Sequence, residues 1–242
     1  MKRKIAIVDT RIPWECERAL TLRGYYVIKL PPSHRLGEAV ASHPDMLIAR
    51  LGEDYVTTTD YLDEAAFAIQ DIYDTVHPHF HFADEVHGGC YPADAILNSL
   101  VMGRRIFLRK ESASPYLLSL ARERGYEIVG VKQGYAACTV LKLSEEAAIT
   151  ADGGMARALT ECGIRVYKIE NGGISLPPYE YGFIGGASGV DGGCVYTLGS
   201  PEGHPSYEVI KAATAAEGLT LVPLGRGMLR DLGGILFCEG DL

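Results

Sequence analysis

The segment LARERGYEIVGV, residues 120–131, changes character at Gly125. Before that glycine stand Leu, Ala, Arg and Glu, which suit a helix; after it stand Ile128, Val129 and Val131, which suit a strand. A helix that ends by turning through a left-handed residue takes glycine there, because glycine has no Cβ to clash. Three other segments share this shape: LTLRGYYVIKL (20–30), LTECGIRVYKI (159–169) and TAAEGLTLVPL (214–224), with Gly24, Gly163 and Gly218 at the junction. One local motif, used four times, points to a repeating architecture.

The pattern extends backwards from each glycine. Ser114 and Pro115 suit the cap and first turn of the helix in SPYLLSLARERG, and two apolar runs, DAILNSLVMG and RRIFLRK, precede it. The next unit gives CTVLKL, AAIT and the helix DGGMARALTECG, with Asp152 as its cap. The one after gives YGFIGGASG, CVYTLG and PSYEVIKAATAAEG. A weaker copy fits DMLIARLG, DYVTTT, the helix DYLDEAAFAIQDIY and FHFADEV. The remaining strands, KIAIV at residues 4–8 and GGILFC at residues 233–238, complete a fifth unit only if they lie side by side. Five strand-strand-helix-strand units closed in this way describe a ring without exposed sheet edges.

Such a ring resembles the pentein fold of arginine deiminase, amidinotransferases, dimethylarginine dimethylaminohydrolase and a ribosome-associated factor with no enzymatic role. GYAAC (134–138), ITADGG (149–154), YGFIGGASG (181–189) and DLGG (231–234) further resemble a bacterial family of uncharacterised pentein-like proteins. The resemblance implies one α/β domain over residues 1–242, a pentein-like propeller whose C-terminal strand joins the N-terminal unit.

In hydrolytic penteins a nucleophilic cysteine follows a glycine run on the last strand, and GGILFC places Cys238 there. That chemistry is thiolate attack on a guanidinium carbon, which needs a proton-transferring histidine and carboxylates to hold the cation. The family motif His-Leu-Asp-Thr is replaced here: with Thr139 matched, Ala136 stands at the histidine and Cys138 at the aspartate. The plainer reading of Cys238 is a buried thiol.

Two functional readings stay open. One is a protein that binds a small polar ligand or a partner at the ring centre without the hydrolytic triad, through Arg50, Asn98, Gly185, Gly186, Ser188 and Asp231. The other is a cysteine-dependent hydrolase or transferase acting on a guanidino or amino-acid-like substrate. It would use Cys138 or Cys238 as nucleophile, with His204 as an unusual base. Cys138 is expected to border a small central pocket with Asn98, Gly186 and Ser188, and no histidine is expected within reach of Cys238.

VHPHFHFADEVHGGC (76–90) sets His77, His79 and His81 at alternate positions, followed by His87 and Cys90. Alternation puts side chains on one strand face, but Pro78 interrupts the ladder, so no metal is expected there. His204, in GSPEGHPSYEVI, has a simpler role at the start of a helix. The glycines of YGFIGGASGVDGG do not follow the dinucleotide-binding order, and no cofactor is expected.

The net charge of −8 argues against nucleic acid as a partner. The opening MKRKIAIVDT has four apolar residues before Asp9, against the roughly 7–15 of a signal-peptide core and about 20 of a membrane helix. A cytosolic protein with no membrane contact is expected. The six cysteines include no closely spaced pair, which fits reduced thiols. Fourteen tyrosines leave a homo-oligomer open.

Overall fold

The computed structural model describes residues 3–240; the outermost two residues at each end of the expected 1–242 domain lie outside them. Five three-stranded sheets share one topology, and a two-stranded sheet of Ile174–Ser175 and Leu229–Arg230 accompanies them. In each of the five, the first strand is antiparallel to the second, and the second is parallel to the third. A helix makes each parallel crossover, as a right-twisted strand pair requires.

The first sheet sets Leu236–Gly240 beside Arg3–Asp9, with Ile5 opposite Cys238, and Tyr25–Leu30 on the other side. The second joins Ala49–Leu51, Asp54–Thr58 and His79–Ala83. The third joins Leu100–Met102, Arg105–Leu108 and Glu127–Gly130. The fourth joins Val140–Lys142, Ala147–Thr150 and Arg165–Lys168. The fifth joins Ser188–Asp191, Cys194–Thr197 and Thr220–Pro223. Among the described residues none of the six sheets closes on itself.

Local chemistry explains the units. Gly24, Gly125, Gly163 and Gly218 take φ of +85°, +72°, +80° and +71° at the ends of four crossover helices. The fifth crossover helix, Thr59–Val76, ends instead at His77 with φ +54°. A non-glycine residue there explains why this copy is faint in the sequence. Strand His79–Ala83 starts just after Pro78, so the proline precedes the ladder rather than interrupting it. Ser114 accepts the Leu117 amide at 3.1 Å and Asp152 accepts that of Met155 at 2.7 Å, both capping their helices.

Middle strands are buried along nearly their whole length, and those of the first and third sheets accordingly carry the apolar runs IAIV and IFL. Their side chains feed five apolar clusters, each shared by two sheets. Ile5, Ile28, Met46 and Tyr55 join the first to the second; Val56, Ala83, Ile106 and Leu117 join the second to the third. Leu100, Phe107, Ala148 and Met155 join the third to the fourth; Leu141, Ile149, Val195 and Ile210 join the fourth to the fifth. Tyr25, Tyr196, Leu198 and Phe237 join the fifth to the first.

Candidate functional site

The site is built from the turns that lead into the first strands. Cys138 was expected on such a strand; it lies instead in the turn before Val140–Lys142, where the Thr139 amide bonds back to Tyr135 O at 3.1 Å. Asn98 and Gly186 occupy the same position, two residues before Leu100–Met102 and Ser188–Asp191. His43 and Asp45 precede Ala49–Leu51, and Asp231 precedes Leu236–Gly240. These turn residues meet at one place, with backbone amides left free of any strand ladder.

Two glycines permit the meeting. A Cβ on Gly186 would fall on the Asp231 carboxylate, and one on Gly233 would collide with His43. Gly233 also turns with φ +69°, so the DLGG turn wraps its backbone directly onto the histidine.

Asn98 Nδ2 donates to Cys138 Sγ at 3.2 Å, and Asn98 Oδ1 accepts the Ala137 amide at 2.8 Å. Gly186 N bonds to Cys138 O at 2.9 Å. The Asp231 carboxylate accepts the amides of Phe183 at 2.8 Å and Gly233 at 3.2 Å. His43 is 0% exposed, and neither ring nitrogen has a hydrogen-bond partner among the described residues. Its Nδ1 stands 3.8 Å from Asp231 Oδ1 and its Nε2 3.9 Å from Asp9 Oδ2. Asp9 is already committed, since Arg11 Nε and its backbone amide bind Asp9 Oδ1 at 2.9 and 2.7 Å.

Burial sets the protonation states. It holds the His43 imidazole down to about 3, aided by the Arg11 charge, so the ring is neutral. It pushes Asp231 up to about 7, with Asp45 raising it further, and pushes Asp45 up to about 6 against the Cys138 and Asn98 hydrogen bonds. The Cys138 thiol rises well above its ordinary range, through burial and then the charges of Asp45 and Asp231. The cluster is therefore a neutral thiol and a neutral imidazole between two reluctant carboxylates.

Above it opens a cavity of about 260 Å³, with His43, Cys138 and Asp231 in its buried floor and Tyr135, Tyr179, Tyr181 and Phe183 as aromatic walls. Tyr135 is fixed by donating to Asp94 Oδ2 at 2.6 Å. Glu180 stands exposed at the rim. Asp45 faces a separate groove of about 610 Å³. The cluster thus forms the partition between cavity and groove.

Of the residues singled out in the sequence, Asn98, Cys138, Gly186 and Asp231 come together. Arg50, Gly185 and Ser188 line the groove; Arg50 Nη1 donates to Phe237 O at 2.7 Å and Ser188 Oγ to Ile184 O at 2.6 Å. Of the three residues expected to border a pocket with Cys138, none lines its cavity: Asn98 and Gly186 touch Cys138 from behind, and Ser188 faces the groove. Cys238 packs in the cluster joining the first two sheets, where burial pushes its thiol up to about 11 against the Arg50 charge and a Tyr55 hydrogen bond. His204 belongs elsewhere: its Nδ1 accepts the Ser206 amide at 3.0 Å beside a depression that also contains Asp152. In the histidine-rich segment, His81 is bonded at both nitrogens, to Asp54 Oδ1 at 2.7 Å and Tyr116 Oη at 2.9 Å.

His43 and Asp45 escaped the sequence reading. Their signal is positional: HPD stands before its first strand as AAC and DLGG stand before theirs.

The sequence model described as "Family of unknown function (DUF6873)" matches residues 7–236. The chain belongs to that family. No curated protein sequence matches this DUF6873 member. Its fold is that of the pentein superfamily. The dimethylarginine dimethylaminohydrolase of Pseudomonas aeruginosa, complexed with citrulline, superposes with a TM-score of 0.59 at 9% identity, over 98% of each chain. SxtG, an amidinotransferase of saxitoxin biosynthesis from Microseira wollei, gives 0.56 at 12% identity, over 91% of this chain and 88% of that one. Agmatine deiminase of C. jejuni gives 0.53 at 7% identity, over 91% and 76%. At such identities the likeness concerns the fold of the DUF6873 chain, and its side-chain chemistry stands on its own.

Proposed function

We propose that this chain binds a small guanidino ligand in the aromatic cavity, its cationic guanidinium against Asp231. The observation that carries this reading is a buried carboxylate without a basic partner at hydrogen-bond distance, among the described residues, under walls of tyrosine and phenylalanine. A planar cation gains from both: charge-assisted bonds to the carboxylate and the π-faces around it. Fold neighbours named for agmatine and amidino transfer support a ligand of this class. The five shared clusters, the last joining the fifth sheet to the first, support a closed five-unit ring with this cavity near its centre.

Calorimetric titration with agmatine and L-arginine, against neutral L-citrulline, tests the reading. The cations should bind at least about tenfold more tightly, and Asp231→Asn should remove that preference, as loss of a charged hydrogen bond implies. Equal binding of citrulline sinks it.

A second reading has one observation in its favour: Cys138 and His43 adjoin in the same cavity. It makes Cys138 the nucleophile of a cysteine-dependent hydrolase or transferase. The thiol proton passes to His43, sulfur bonds to the guanidino carbon, and a carbon–nitrogen bond breaks as His43 returns the proton to the leaving amine. Intact-protein mass after incubation with agmatine should then show an adduct mapping to Cys138, and no adduct argues for binding alone.

A further inference from the structure

We propose that His43, Asp45 and Cys138 hold a divalent transition-metal ion of the zinc class, with an open coordination position facing the aromatic cavity. This site goes beyond the ligand reading and does not rest on it.

Each of the three residues offers one ligand atom, and these atoms lie within 4.8 Å of one another. A tetrahedral zinc shell, with metal–sulfur and metal–nitrogen bonds of about 2.3 and 2.0 Å, sets its donors roughly 3.3–3.7 Å apart. Small side-chain rotations close the difference. Imidazole nitrogen, thiolate and carboxylate together select zinc-class ions over magnesium or calcium, which prefer oxygen alone.

The independent observation is His43. A fully buried imidazole with both nitrogens lacking a hydrogen-bond partner is costly, and proteins rarely keep one without a use. Here one nitrogen serves the metal while the other faces a carboxylate, Asp231 beyond Nδ1 or Asp9 beyond Nε2. At 3.8 and 3.9 Å these carboxylates stand where a small shift on loading would make the outer hydrogen bond that orients metal-binding histidines. Asp45 Oδ1 is likewise buried without a partner. Asn98 donates to the Cys138 sulfur and supports it as a thiolate. Loading sends the thiol proton of Cys138 to solvent, and the ion's two charges balance thiolate and Asp45. Asp231 then keeps its own charge for whatever enters the cavity. Three protein ligands with a fourth position open is the pattern of reactive rather than structural zinc.

The histidine-rich segment is a poorer site. His81 has both nitrogens occupied, and His87 gives Nδ1 to Asp94 O at 2.9 Å.

Metal-stripped full-length protein titrated with Co²⁺ should develop a thiolate-to-cobalt charge-transfer band saturating at one ion per chain, reversed by Zn²⁺. Cys138→Ser should abolish the band. His43→Gln and Asp45→Asn should weaken binding more than about 100-fold, beyond what outer-shell changes cost, while His79→Ala and His81→Ala leave it unchanged. In the unaltered protein, Zn²⁺ should slow iodoacetamide labelling of Cys138 at least about tenfold, with exposed Cys90 as the internal control. This last measurement decides the matter should a variant fail to fold. No band in excess Co²⁺, a band that survives Cys138→Ser, or labelling of Cys138 indifferent to Zn²⁺ overturns the site. None of these readouts uses a guanidino compound, so the metal and the ligand readings fail separately.

Discussion

His43 and His81 both stand beside aspartates, and they could hardly be treated more differently. His81, near the surface, shares Asp54 with Arg124, whose Nε reaches that carboxylate at 2.7 Å, and its other nitrogen meets Tyr116. His43, fully enclosed, has two carboxylates just short of hydrogen-bond distance and bonds to neither. A saturated histidine serves the fold. One held close to partners and kept from bonding them is poised for something else, and the stability it forgoes is the mark of a functional site.

The hardest push on this comparison is at the packing that encloses His43 and Asp231. Gly186→Ala drives a methyl into the Asp231 carboxylate and should cost about 3 kcal/mol, lowering the melting temperature by roughly 6–12 °C. An unchanged melt would mean that the centre is loose and the enforced proximity of the cluster unreal.

The two thiols sharpen the same contrast. With its thiol pushed up to about 11, Cys238 should label slowly at pH 7, and its rate should climb about tenfold per pH unit up to that range. Fast, pH-independent labelling near pH 6 would reveal a preformed thiolate on the last strand and return the nucleophile's role to Cys238.

His43→Leu removes two unpartnered polar atoms and keeps the volume. In metal-free protein it should raise stability by about 1 kcal/mol, whereas His81→Leu should lower it. Paired thermal melts give the sign of each; a loss at both positions would erase the distinction.

The smallest effect concerns the saturated side alone. Arg124 first, then His81, hold the Asp54 carboxyl down to about 2. Its folded value lies below its unfolded one, so its stabilisation is present above about pH 4 and lost as pH falls towards 2. Urea melts of the unaltered protein and Asp54→Asn should therefore differ at pH 5 and converge near pH 2. A gap that persists at pH 2 would assign the difference to something other than the charge.

Much of the fold was legible because helix C-caps announce themselves. Four glycines in the left-handed region mark four units, and the unit whose crossover helix ends at His77 is the faintest in the sequence. The site was harder to read, for a physical reason. Cys138, Asn98 and Gly186 were noticed as residue types, but turns that look alike in sequence converge only after distant sheets have packed together. His43 and Asp45 stand where the faint unit begins, in a stretch that forms a four-residue helix, Pro44–Leu47, rather than the start of a strand. Counting back from each first strand, rather than scanning for clustered histidines, would have found them. The segment from His77 to His87 drew attention by density, and density says nothing about which nitrogens the fold will occupy.

The pairing of Ile5 with Cys238 carries a consequence for how the molecule is made. Strand Arg3–Asp9 leaves the ribosome well before its antiparallel neighbour Leu236–Gly240, with four other three-stranded sheets translated between them. Until Leu236–Gly240 emerges, one flank of that strand has no native neighbour, and it stays a template for pairing with other nascent copies. Closing it brings together residues separated by nearly the whole chain, the kind of contact that forms slowly. Lys4 and Glu239, opposite each other in the finished ladder, put charge on both sides of this late seam. Charge of that kind discourages premature partners while the native one is still being translated.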